Sequence, residues 1–293
     1  MKQLLSITAL SICLAVGLQA KEVAQAEVKS TLTQTKQQSG TVINLAGKQR
    51  MLTQKMSKEA FFIAKGIDVD ANKAGLKKTA ALFDKTLKGL ALGDESLNLP
   101  KTENAEILAQ LQKVTELWTP FKVNIDKVAG GNSDKATLEA IAKENIPLLK
   151  NMNKAVQMYA KASGSKLDPQ MAKTINLAGK QRMLTQKMTK ELLLVANGID
   201  APANTESAKK TVALFEKTLN GLIKGDESLG LKGTEDANIL KQLEVVQKLL
   251  AEYKPIVEKV DTSDEALKKA LELNIPLLKN MNKAVKMYEA SIK

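Results

Sequence analysis

Two arginines, Arg50 and Arg182, are the only ones in a chain whose other 42 basic residues are lysines. Each sits at the same place in a fourteen-residue segment, INLAGKQRMLTQKM, that occurs unaltered at 43–56 and at 175–188. The choice of arginine over lysine is chemically specific. A guanidinium is planar, more weakly hydrated than an ammonium, and presents parallel N–H donors that match a flat oxyanion in a bidentate way. No local carboxylate is available to it, because no Asp or Glu occurs between Glu27 and Glu59 or between Asp168 and Glu191. The segments instead carry Lys48, Lys55 and Lys58, and Lys180, Lys187 and Lys190. A small anion would relieve such a concentration of charge. The competing arrangement pairs each arginine with a carboxylate from a distant helix, such as those of the GDES runs at 93–96 and 225–228.

Other chemistries are poorly provided for. The chain has no histidine and a single cysteine, Cys13, near its N-terminus. Thiol and Ser-His nucleophilic sites, CxxCH haem attachment and the Glu-x-x-His di-iron pattern are therefore absent from the sequence beyond residue 13, and we expect a protein that is not an enzyme and needs no cofactor or metal. The methionines of MLTQKM and NMNKAV read as core filling rather than metal ligands. A formal net charge of +12 points first to nucleic acid, but one Trp, three Tyr and lysines dispersed among acids favour a solvated basic surface with no nucleic-acid partner.

The elements that hold the arginines follow from composition and pattern. Aromatic content of 3% with abundant Ala, Leu, Lys, Glu and Gln favours helices. Residues 1–26 read as a secretory signal peptide, an early lysine followed by an apolar run and small residues near Ala20 and Ala26; Ile12 before Cys13 argues against lipoprotein processing. The rest is a tandem duplication. GDESL at 93–97 returns at 225–229, and NIPLLKNMNKAVQMY at 145–159 returns as NIPLLKNMNKAVKMY at 274–288. Each copy predicts four helices joined by short loops, with starts marked by Thr102, Ser133, Asp168-Pro169, Thr205, Thr234 and a Thr262/Glu265 capping box. Pro147 and Pro276 fall inside the fourth helix of each copy and should kink it. The expected fold is all-α, two tandem up-down four-helix bundles over 27–164 and 165–293, linked through ASGSKLDP.

On a helix the repeated segment has two buried stripes. Leu45, Gln49, Leu52, Met56, Ala60 and Ile63 suit the interior of its own bundle, while Ile43, Gly47, Arg50, Gln54, Ser57 and Phe61 form a second seam on nearly the opposite side. A mid-helix glycine costs about 1 kcal/mol relative to alanine, so Gly47 and Gly179 indicate a close approach of another helix or a bound group. A short link between up-down bundles sets the fifth helix parallel to the first and level with it. Arg50 and Arg182 are then expected to face each other across a pseudo-twofold axis, within one chain as a pseudo-dimer or between chains as a homodimer.

The segment resembles the signature of PilJ-type sensor domains, the N-terminal modules of type IV pilus chemotaxis transducers, which are related to the sensor modules of NarX-type nitrate/nitrite kinases. Both copies match it, over about 30–162 and 166–293. The resemblance implies a periplasmic four-helix bundle that binds nitrate or nitrite between first helices. Carried onto this sequence, the ligand-binding residues are Arg50 and Arg182, with Gly47, Gly179, Asn44 and Asn176 in support; Gln54 and Gln186 are added from the stripe geometry alone. Members of that family normally continue into a transmembrane helix and a signalling output, and the sequence given ends at MYEASIK. The expected function is an exported binding protein for a small anion that presents its ligand state to a membrane-bound transducer. The alternative is a structural or oligomerisation module of a periplasmic signalling or pilus-related assembly, without a small ligand.

Overall fold

A computed structural model describes the backbone of residues 7–165 and 167–292, and the side chains of 36–164 and 167–292. The expected leader over 1–26 lies outside the residues whose side chains are described. Eight α-helices are present, with no strand or sheet among the described residues: α1 (Ile7–Ala64), α2 (Val69–Leu92), α3 (Ala105–Ala129), α4 (Lys135–Ala162), α5 (Pro169–Ala196), α6 (Ala201–Lys224), α7 (Ala237–Lys259) and α8 (Asp264–Ala290). The chain forms two four-helix bundles, α1–α4 and α5–α8. Among the described residues, no helix is long and apolar enough to cross a membrane.

The helix starts show where local chemistry gives way to tertiary contacts. Asp168 caps α5 as expected, its carboxylate accepting from the Met171 amide, with Pro169 at the first position. The other starts differ. Thr102 and Thr234 do not cap helices; their hydroxyls donate to the Leu90 and Leu222 carbonyls and meet the Tyr159 and Tyr288 hydroxyls, which fastens each interhelix loop to the fourth helix. Asn104 and Asp236 cap α3 and α7 instead, and Asp134 and Ser263 cap α4 and α8 in place of Ser133 and Thr262. Helix α6 begins at Ala201, ahead of Thr205, because the chain reverses through left-handed Gly198 and Asp200. Asn204 closes that turn by donating to the Ile199 and Asp200 carbonyls.

Helix α1 packs on α2 and α4 of its own bundle, α5 packs likewise on α6 and α8, and the two motif helices pack on each other more extensively than on any other helix. Both stripes of the repeated segment are therefore buried, Leu52, Met56 and Ala60 on one and Ile43, Arg50, Gln54, Ser57 and Phe61 on the other, and Phe83, Trp118 and Phe121 form an aromatic cluster in the first bundle. Gln49 and Gln181 belong to the first stripe but remain polar for a reason: each donates 2.8 Å to a carbonyl of the second helix, Phe83 and Phe215 respectively. Met152 and Met281 are fully buried in the core.

Candidate functional site

Arg50 and Arg182 rank as the two largest fully buried side chains among the described residues, each 1% exposed. They meet at the α1–α5 interface. A Cβ built on Gly47 would lie 3.3 Å from Arg50 Nη2 and 3.8 Å from Arg182 Nη2, and one on Gly179 would lie 3.4 Å from Arg182 Nη2 and 3.6 Å from Arg50 Nη2. The two guanidinium tips thus share the space that the two missing side chains leave open, which is the close approach that the mid-helix glycines require.

No carboxylate lies within ion-pairing distance of either arginine among the described residues. The acids of the GDES runs are elsewhere, with Asp94 and Asp226 capping one-turn 3-10 helices. The arginines are held by neutral acceptors. Arg50 donates through Nη1 to Asn153 Oδ1 on α4 (2.9 Å) and through Nη2 across the interface to the Asn176 carbonyl (3.0 Å). Arg182 donates through Nη1 to Asn282 Oδ1 on α8 (2.8 Å), and through Nη2 to the Asn44 carbonyl (3.1 Å) and to Asn44 Oδ1 (2.7 Å). Neither buried Nε donor has a partner, and Asn176 Oδ1 is also unsatisfied. Burial, and then the charge of Arg182, push the Arg50 pKa down from its ordinary value to about 9. Burial pushes Arg182 down to about 10, with Glu289 acting in the opposite sense. Two buried cations packed together, with Glu289 acting on only one of them and none of the described carboxylates within ion-pairing distance, form a site short of negative charge.

The same seam continues one turn along with Gln54 and Gln186, which the structure does not bring to the arginines. Gln54 Nε2 donates to Asn145 Oδ1 (2.8 Å) and Gln186 Nε2 to Asn274 Oδ1 (2.9 Å). The same two oxygens accept from lysines of the opposite bundle, Lys190 to Asn145 (3.1 Å) and Lys58 to Asn274 (2.9 Å). Both lysines are buried, and burial lowers their pKa from 10.5 to about 8 despite the neighbouring Glu59 and Glu191, which raise it. A cleft of about 470 Å³ runs from this layer to the arginine layer, lined in part by Asn145, Asn153, Lys150, Lys180, Lys187 and Lys190. Asn153, the Arg50 acceptor, lines it, with Glu191 among the lysines.

Of the residues expected from sequence, Arg50, Arg182, Gly47, Gly179, Asn44 and Asn176 converge on one point. Sequence reasoning missed Asn153 and Asn282, which hold the outer guanidinium nitrogens, and Asn145, Asn274, Lys58 and Lys190, which form the layer beneath. The signal for the asparagines was the second long repeat, NIPLLKNMNKAV, whose first asparagine and the one eight residues later lie on one helical face in both copies.

An all-helical module of two bundles, joined through a pair of helices with cationic tips, is the class that fold and site define. The family model described as type IV pili methyl-accepting chemotaxis transducer N-term (PilJ) matches residues 31–143 and 169–274. The chain belongs to this family of chemotaxis-transducer sensor domains, which it carries in two copies. It is similar to the methyl-accepting chemotaxis protein McpN of Pseudomonas aeruginosa, 31% identical over 133 residues, which are 45% of this chain and 24% of McpN. It is also similar to the putative methyl-accepting chemotaxis AlkN of Alcanivorax borkumensis, 26% identical over 236 residues, 79% of this chain and 32% of that protein. The chain thus matches about a third or less of the length of these relatives.

Proposed function

We propose that this chain is a periplasmic sensor module that binds one small planar oxyanion, nitrate or nitrite, between Arg50 and Arg182, and that a membrane-bound transducer reads its state. The two bundles, 27–164 and 165–293, act as the two halves of one pseudo-dimer, and the leader over 1–26 carries the chain out of the cytoplasm. One observation carries the reading: two fully buried guanidinium groups converge over two glycines with no carboxylate of the described residues within ion-pairing distance. An acceptor-only anion placed there would lower the mutual repulsion of the arginines and supply acceptors that their partnerless Nε donors lack. Gly47 and Gly179 leave the room, and the cleft beside Asn153 provides an approach lined by lysines.

Calorimetric titration with nitrate, nitrite, chloride and sulfate tests it. Nitrate or nitrite is expected to bind selectively, and Arg50→Lys or Arg182→Lys to weaken binding by tenfold or more, because lysine loses the bidentate geometry. No heat with any of the four, together with a melting temperature that none of them moves, would leave the arginine pair as an interface device and favour a structural module instead.

A further inference from the structure

The two halves of the arginine site are not equivalent, and one carboxylate makes them so. Asn44 donates from Nδ2 to Glu289 Oε2 (2.5 Å) while its Oδ1 accepts from Arg182 Nη2 (2.7 Å). Glu289 lies in the last turn of α8. Its counterpart in the first copy, one residue beyond the aligned Tyr159 and Tyr288, is Ala160. Asn176, the counterpart of Asn44, accordingly has no carboxylate to hold it; Arg50 takes only its main-chain oxygen, and its Oδ1 is buried without a partner. A carboxylate accepts hydrogen bonds and donates none, so the atom that Asn44 turns toward Glu289 must be its NH2. The amide oxygen of Asn44 is thereby fixed toward the cations, where it occupies Arg182 and presents a negative end to an incoming anion. The Asn176 amide is under no such constraint and can turn its NH2 inward.

Resting on the reading of this site as an anion site, we infer that Glu289 is a positioning residue that locks the Asn44 amide against the ligand, so that the anion is held on the Arg50 and Asn176 side. Glu289 also acts on Arg182 through its charge, and Glu289→Gln, which removes the charge but keeps an acceptor for Asn44, separates that effect from the orientation of the amide.

The test is a set of nitrate titrations on the full chain with Asn44→Ala, Asn176→Ala, Glu289→Ala and Glu289→Gln, each checked for an unchanged melting profile. Asn176→Ala is expected to weaken nitrate binding about tenfold, the loss of one hydrogen bond to a charged group, and Asn44→Ala by less than about threefold. In the Glu289→Ala background the two asparagine substitutions should cost the same, and nitrate should bind more tightly than to wild type. Glu289→Gln should keep the inequality, since the Gln oxygen still accepts from Asn44. Equal costs in wild type overturn the inference, as does an inequality that Glu289→Ala leaves intact or that Glu289→Gln abolishes. Side-chain amide NMR decides the positioning role without ligand: the Asn44 NH2 signal should move on Glu289→Ala while that of Asn176 stays. If wild type binds no nitrate but this shift occurs, the functional reading fails and the lock on Asn44 stands; if nitrate binds and the shift is absent, the lock fails alone.

Discussion

Replacing Lys58 by methionine should make this protein more stable, and the gain should depend on pH in a defined direction. The Lys58 ammonium is buried and makes one hydrogen bond, to Asn274 Oδ1, an oxygen that Gln186 also satisfies. Removing it orphans no acceptor. Its surroundings are Lys55 and Glu59 on its own helix and the neutral Asn274 from α8, and burial outweighs the carboxylate, lowering its pKa from 10.5 to about 8. A lysine whose folded pKa lies below its unfolded value opposes folding wherever both states are protonated. The unfolded chain holds more protons between those two values, so stability rises as pH climbs from about 8 toward 10.5. The penalty below pH 8 is on the order of 3 kcal/mol, of which roughly 2 kcal/mol is recovered by about pH 9.5. Methionine fills similar volume, forgoes a hydrogen bond worth about 1 kcal/mol, and should leave Lys58→Met about 1–2 kcal/mol more stable at pH 7. Urea unfolding of both proteins at pH 7 and 9.5 measures this. Wild type should gain stability between the two pH values, and Lys58→Met should gain less by roughly the contribution of one lysine. If the variant is instead destabilised at pH 7 and its pH dependence matches wild type, the ammonium is well compensated and the reasoning is wrong.

Three further outcomes follow from the same geometry. Gly47→Ala removes a helix-interior glycine, a gain of up to about 1 kcal/mol in propensity, but sets a methyl 3.3 Å from Arg50 Nη2; thermal melts should show stability kept or raised while calorimetry shows nitrate binding reduced. Asn153→Ala strips Arg50 Nη1 of its side-chain acceptor beside the cleft and should cost about 1–3 kcal/mol by denaturant unfolding, a cost that saturating nitrate partly restores. Phe121→Ala, on α3 in the aromatic cluster with Trp118, should cost about 3–5 kcal/mol of stability by the same assay and leave the nitrate dissociation constant unchanged.

The parts of this structure that were legible in the sequence are those set by local pattern. The second stripe on the motif helix announced a second partner, the glycines announced a close approach, and the acid-free windows announced unpaired arginines; α1 and α5 deliver all three at one interface. Helix starts were less legible, because Thr102 and Thr234 are good capping residues that the fourth-helix tyrosines draw away from capping. The asparagines that hold the guanidinium groups could not be assigned from the motif, since Asn153 and Asn282 reach it from helices about a hundred residues away in the chain. Gln54 and Gln186 were placed on the right seam but one turn too far along, where Asn145 and Asn274 engage them. Lys58 and Lys190 look, in one dimension, like members of ordinary charged pairs with the acids that follow them. Adjacent positions on a helix point about 100° apart, so Glu59 and Glu191 turn instead to Lys55 and Lys187.

Duplication within one chain changes what such a site can be. Two identical subunits present the same residues on both sides of their axis, so a carboxylate added at one half appears at the other and doubles its repulsion of an anion. Joining the copies removes that constraint. Here the fourteen residues of the motif are unchanged between copies, whereas the turn that overlies them differs as Ala160 and Glu289, with Gln157 opposite Lys286. The cations and the glycines beside them are kept in pairs, and the residues that orient the neighbouring asparagines are not. A single carboxylate therefore offsets one arginine, Arg182, while the matching position on the Arg50 side is Ala160. On the proposed reading, an anion at this interface would meet two unequal halves rather than a true twofold axis, and its preferred position would follow from which half the chain has already satisfied.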